Sequence, residues 1–216
     1  MLRAAALVGL AGLLAVPAPA HAQADYASAF TDAFAAACVP GRLTYEASLA
    51  AARDAGWSTV SAQSHPELAA IMALAEEEAR DPELEGAEFH YEAFLKAVAG
   101  LPHHLVVSRA SFVLDDPEDP WVFVGCHLYN LEATAPIDPA PVTALIGNPI
   151  SRTQTDQGVE SHVWGPPCPM PRTGDTYLNF VEEGSVVADV LPFTGLALNF
   201  STSELPAGEE EPEPYC

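Results

Sequence analysis

Six histidines follow residue 22: His65, His90, His103, His104, His127 and His162. Imidazole is a common metal ligand and the side chain that titrates closest to neutral pH. His104 and His127 lie in two neighbouring apolar runs, so an antiparallel hairpin would bring them towards each other. The expected register sets His127 opposite Ser108, a step of the pleat away from His104. We therefore read His103 and His104 as polar residues at the hairpin end. His127 reads as a partnered strand histidine, and no metal is assigned.

Two other clusters offer metal chemistry. Asp115-Asp116-Pro117-Glu118-Asp119 supplies carboxylates, the hard oxygen ligands that calcium takes. It lacks the alternating acidic spacing and distal glutamate of a calcium loop, and two prolines restrict its wrapping. A solvated acidic turn is the favoured reading. His162 with Cys168-Pro169-Met170 supplies the soft ligands that suit copper. No histidine follows the cysteine closely, and a disulfide at Cys168 would end the idea. The G-x-S-x-G elbow, H-E-x-x-H, the Walker loop and G-x-G-x-x-G are all missing. Catalytic residues therefore remain unknown, and cofactors are none. Triads and carboxylate pairs need not be local in sequence, so activity is not excluded.

These side chains must be positioned by regular elements. Residues 103–131 read as two strands around a loop of acids and prolines. With the loop centred on Pro117 and Glu118, Leu114 faces Trp121 and Arg109 faces Cys126. One face then carries Leu105, Val107, Val113, Val122, Val124, Cys126 and Leu128. The other carries Val106, Phe112, Trp121, Phe123, His127 and Tyr129. Neither face is polar, so both should be covered. Trp121, Phe123 and Tyr129 could line a ligand groove, although core packing is the commoner use of such residues.

Phe30, Phe34, Ala37 and Cys38 fall on one face of a helix over 25–38, with Asp25 as cap. Thr44 caps a second helix over 45–55, stopped by Gly56. Ser64-His65-Pro66-Glu67 reads as a capping box opening a third over 65–79, with Leu68, Ile71, Met72 and Ala75 inward. Residues 89–99 fit either a helix or a strand. Asp138-Pro139 opens a short helix ending at Gly147. Residues 162–164, 177–181, 186–191 and 195–200 read as short strands. The fold class is α+β: N-terminal helices on one face of a mainly antiparallel sheet centred on a 104–131 hairpin. No internal repeat is visible.

The order Phe34-x-x-x-Cys38, then Ala52-x-x-x-Gly56-Trp57, then Cys126-x-Leu128-Tyr129 resembles a loose group of exported bacterial proteins of unassigned function. The likeness runs from about Phe30 to Phe200. It implies no activity and transfers no functional residue. It leans 90–98 towards a strand. The four cysteines, Cys38, Cys126, Cys168 and Cys216, allow three pairings. The resemblance favours Cys38–Cys126. Burial argues the same way, since Cys38 lies on the apolar stripe of the first helix and Cys126 on the aliphatic hairpin face. Cys168–Cys216 is then the second pair.

Met1-Leu2-Arg3, the apolar run from Ala4 to Val16 and Ala20-His21-Ala22 have the form of a secretory signal peptide over 1–22. Export to the periplasm or medium, where disulfides persist, is the expected localisation. A single domain over 23–203 and an acidic, mostly disordered tail over 204–216 complete the division. No later run is long and apolar enough to span a bilayer, so no membrane insertion is expected. Eight Lys plus Arg less Arg3 leaves seven against thirty Asp plus Glu, a mature charge near −23. Such a field repels nucleic acid. The expected function is a non-catalytic exported binding or envelope-associated domain. The alternatives are a hydrolase using His127 or His162 in a non-local site, and a metal-handling protein.

Overall fold

A computed structural model of the protein describes residues 20–81, 87–113 and 120–216. Its chain order is α1 (Ala20–Cys38), α2 (Tyr45–Asp54), β1 (Ser58–Val60), α3 (Pro66–Glu78), β2 (Glu88–Val98), β3 (Leu101–Phe112), β4 (Trp121–Asn130), α4 (Ala140–Ile146), β5 (Arg152–Asp156), β6 (Val159–Trp164), β7 (Thr173–Val181) and β8 (Gly195–Ser203). The strands form one eight-stranded sheet in the order β1-β2-β3-β4-β8-β7-β6-β5. Every neighbouring pair is antiparallel. The fold is α+β.

The sheet consists of two four-stranded meanders, each preceded by helix, which meet where β4 pairs with β8. This architectural repeat has no counterpart in the sequence. Residues 89–99 resolve as strand, and β2 pairs with β3 along its whole length. Ala99 and Gly100 make the turn between them with φ of 50° and 82°, the left-handed geometry that tight hairpins use.

The β3–β4 register differs from expectation by two residues. Cys126 pairs with Val107, Arg109 with Val124, and Trp121 with Phe112. A slip of two leaves every side chain on its expected face, because the pleat repeats every two residues. The aliphatic face carries Leu105, Val107, Val124, Cys126 and Leu128 into a core shared with Phe30, Phe34 and Cys38 of α1, Leu49 and Ala52 of α2, and Val142 and Ile146 of α4. Phe34 meets Phe200 of β8 edge-on, with ring centroids 5.2 Å apart.

α3 departs from the expected layer. Its Leu68 and Met72 pack with Ala93, Val106, Tyr129 and Ala197, on the opposite face. The chain enters β1 between α2 and α3, and so passes the edge of the sheet before α3 begins. The cap of α3 also differs. Ser64 closes a short 3-10 turn (Ala62–Ser64), and His65 occupies the N-cap without a side-chain bond. Glu67 instead accepts from Thr194 Oγ1 at 2.9 Å.

Three further points are local. α1 starts at Ala20, five residues before Asp25, because alanines and glutamine continue the helix upstream. The expected new terminus at Gln23 therefore falls inside α1. Residues 186–191, read as a strand, form a 3-10 turn (Val186–Asp189). Ser185 Oγ accepts from Val187 N at 3.2 Å and fixes its start. The segment 204–216, read as mostly disordered except at Cys216, is exposed from Pro206 onward and meets the rest of the chain at the contacts described below.

Candidate functional site

A cleft opens where β4 begins and the chain leaves β8. It encloses about 750 Å³ and is lined by Thr44, Pro120, Trp121, Val122, Phe123, Arg172 and residues 203–207. That volume lies within the range of small-molecule sites. Trp121 is 59% exposed, unusual for the largest apolar side chain. It meets Phe123 edge-on at 6.4 Å, and Phe123 meets Phe112 at 6.3 Å. Tyr129, further along the strand, is buried and packs edge-on against Phe193 at 5.8 Å. The aromatic row thus divides: its first two members line the cleft and Tyr129 joins the core.

The opposite wall is held by arginines. Arg109 Nε donates to Glu204 Oε2 at 2.9 Å. Glu204 Oε1 accepts from Tyr45 N at 3.1 Å, at the N-terminus of α2, where a negative charge is favoured. Arg172 Nε and Nη2 donate to the carbonyls of Ser203 and Glu204 at 3.0 and 2.7 Å. Its backbone has φ of 68°, a conformation that costs a non-glycine residue about 1–2 kcal/mol. Glu204 N donates to Val122 O and Leu205 N to Leu43 O, each at 2.8 Å. Further on, Arg42 pairs with Glu211. Arg42, Arg109 and Arg172, three of the seven basic residues beyond Arg3, thus hold one short acidic segment.

The chain has two disulfides among the described residues. Cys38 is bonded to Cys126, with Cα atoms 5.7 Å apart, and Cys168 to Cys216, with Cα atoms 5.3 Å apart. Cys168 is thereby withdrawn as a copper ligand, and Met170 is buried in the core. The acidic run 115–119 lies outside the described residues.

Two histidines meet, with the rings of His65 and His104 5.4 Å apart, and the others take separate places. His104 pairs with Tyr129 and His127 with Val106, which corrects the expected Ser108 partner. The two imidazoles share a face without converging, and no group of three metal-ligating side chains exists among the described residues. His127 lies over Gly125: a Cβ there would stand 2.7 Å from His127 Nε2 and 2.5 Å from Ser108 Oγ. Its ring stacks on Tyr129 at 6.3 Å, and burial lowers its pKa to about 4. Burial also lowers His103 and His104. His103 Nε2 bonds the Tyr26 hydroxyl at 2.8 Å. His90 is exposed beside Glu88.

His162 is the one histidine between a carboxylate and a hydroxyl among the described residues. Its Nε2 lies 2.9 Å from Glu160 Oε1 and its Nδ1 3.1 Å from Thr153 Oγ1. The three sit on the β5–β6 hairpin, and neither the Trp121 cleft nor the shallow one between α1 and α2 reaches them. Sequence reading missed this trio, because Thr153 lies in a polar strand with no apolar alternation. No family model, curated protein or solved structure matches this chain.

Proposed function

We propose that the protein is a non-catalytic exported domain that binds a partly apolar ligand in the Trp121 cleft. The exposure of Trp121 in a walled cleft carries this reading. Trp121 and Phe123 offer flat apolar contact, while Thr44, Ser203 and the Arg172 guanidinium offer hydrogen bonds at one end. The expected ligand therefore joins an aromatic or aliphatic body to an acceptor group. Export is supported by the two disulfides and by the form of residues 1–22. Among the described residues, no helix is long and apolar enough to cross a membrane. In this reading the N-terminal helices α1 and α2 brace one face of the sheet around the 104–131 hairpin, and the shared core residues support that role. The likeness to exported proteins of unassigned function fits the same reading.

The chain carries its own reporter. Of its three tryptophans, Trp57 is 3% and Trp164 0% exposed. Acrylamide quenching of fluorescence therefore reads Trp121. A panel of aromatic and aliphatic carboxylates and amides should contain members that protect Trp121 from quencher. Trp121→Ala should abolish the heat of binding of those members. Binding that survives Trp121→Ala unchanged places the ligand elsewhere.

The placement of His162 between Glu160 and Thr153 favours a second reading, a hydrolase. Ester or amide turnover by the purified protein, lost in His162→Asn, would favour that reading over the first.

A further inference from the structure

β5 is a sheet edge that complements itself. We propose that it pairs antiparallel with β5 of a second copy, joining two sheets about a twofold axis through Gln154.

The argument begins at the β5–β6 turn. Gln157 and Gly158, with φ of 51° and 78°, form a two-residue connection, and Asp156 pairs with Val159. Such a turn makes its closing residues a hydrogen-bonded pair. The backbone groups of Asp156, Gln154 and Arg152 consequently face β6. Those of Thr153 and Thr155 face outward. The bond from Ser151 N to Val163 O, beside the Arg152–Val163 pair, marks a β-bulge where the free edge ends.

All five residues of β5 are exposed. Unpaired backbone groups in a row are a template for another strand. Edges are usually blunted by like charges or proline, and neither occurs between Arg152 and Asp156. The charge order fits a second copy instead. With Gln154 opposite Gln154, Arg152 stands opposite Asp156 on both sides of the axis, and Thr153 stands opposite Thr155. Opposite charges and facing threonines are favourable cross-strand pairs. The register also sets the outward backbone groups of Thr153 and Thr155 against each other, which gives four hydrogen bonds. Arg152 has no ion pair within the chain among the described residues.

Global charge makes this local match selective. Copies with a formal charge of −22 over the full sequence repel, so contact is favoured by positive charge at the interface. Arg152 supplies it, and the twofold axis presents it twice. A contact of one short strand is small, so the dimer depends on concentration.

Cross-linking and light scattering test this. No free cysteine exists among the described residues, so Gln154→Cys adds a single reactive thiol. It should form a reducible dimer at least tenfold faster than Glu77→Cys, an exposed site on α3, which packs over the other half of the sheet. In light scattering at rising concentration, wild type should approach twice its monomer mass. Arg152→Asp should remain monomeric, and Arg152→Asp with Asp156→Arg should restore the dimer. Equal cross-linking rates at the two cysteines would overturn the proposal. So would a dimer that Arg152→Asp leaves intact, or a wild type that stays monomeric throughout.

Discussion

Glu204 binds Arg109 and the first turn of α2 at once, with one carboxylate oxygen for each: Oε2 lies 2.9 Å from Arg109 Nε and Oε1 3.1 Å from Tyr45 N. One side chain thereby ties the end of the sheet to the helix layer. Glu204→Ala leaves both donors without their partner. The expected loss of stability is about 1–3 kcal/mol. Glu204→Gln keeps a carbonyl oxygen and should lose less. Urea unfolding of the three proteins checks the order.

Histidine burial adds to the acid sensitivity. In the unfolded chain an imidazole titrates near 6.5, whereas His127 in the fold titrates at about 4 because burial disfavours its charged form. Between those values the unfolded chain holds more protons, so stability falls as pH falls from about 6.5 to about 4. His127 alone accounts for about 2–3 kcal/mol of that loss. His103 and His104 act in the same direction. His127→Asn should flatten the dependence. The difference between wild type and variant in urea midpoints, measured from pH 7 to pH 4, isolates this residue from the carboxylates.

Gly195 opens β8 with φ of 85°, and a Cβ there would lie 2.2 Å from Asn130 O. That oxygen is backbone and cannot turn aside. Gly195→Ala combines the strained φ with displacement of the β4–β8 seam, at a cost of about 2–4 kcal/mol. Gly184→Ala has a similar φ of 78° with nothing near its Cβ. It should cost about 1 kcal/mol. Thermal melts of the pair separate backbone strain from collision.

The Cys38–Cys126 bond spans 88 residues. In the chain-entropy model, closing a loop of that length stabilises by about 4–5 kcal/mol. Replacing both cysteines with alanine should lower the denaturant midpoint accordingly. Replacing Cys168 and Cys216 frees one end of the C-terminal segment. Limited proteolysis should then cut between Pro206 and Tyr215 sooner, with the core intact.

The legible parts of the fold were those whose burial leaves a period in the sequence. Phe30, Phe34 and Cys38 repeat at helical spacing, and the β3–β4 runs alternate cleanly enough to give the right faces from a wrong register. β5 left no trace, because Arg152-Thr153-Gln154-Thr155-Asp156 is exposed on both faces and has nothing to alternate. Residues 186–191 misled for the opposite reason. They are apolar, yet Val186 and Val190 are 63% and 73% exposed, so composition there did not report burial. α3 showed its apolar stripe but not which face of the sheet receives it, which depends on the path of the chain through β1. The cleft was less legible still. Thr44, Trp121, Arg172 and Ser203 come from four separate segments, and Arg42 finds Glu211 across 169 residues. The exposed glutamate run gives no sign in the sequence that Glu211 is the member that meets Arg42.

The seam between the two meanders also orders events in time. A chain made from its N-terminus completes β4 at Asn130, but the strand that pairs with its outer edge begins at Gly195. Until that strand arrives, the Phe123–Asn130 edge has no native neighbour. Uncovered strand edges recruit whatever strand is nearby. The period of greatest exposure to misassembly therefore falls between these two strands. A chain truncated before Gly195 should therefore aggregate, or bind chaperones, more readily than the full-length chain.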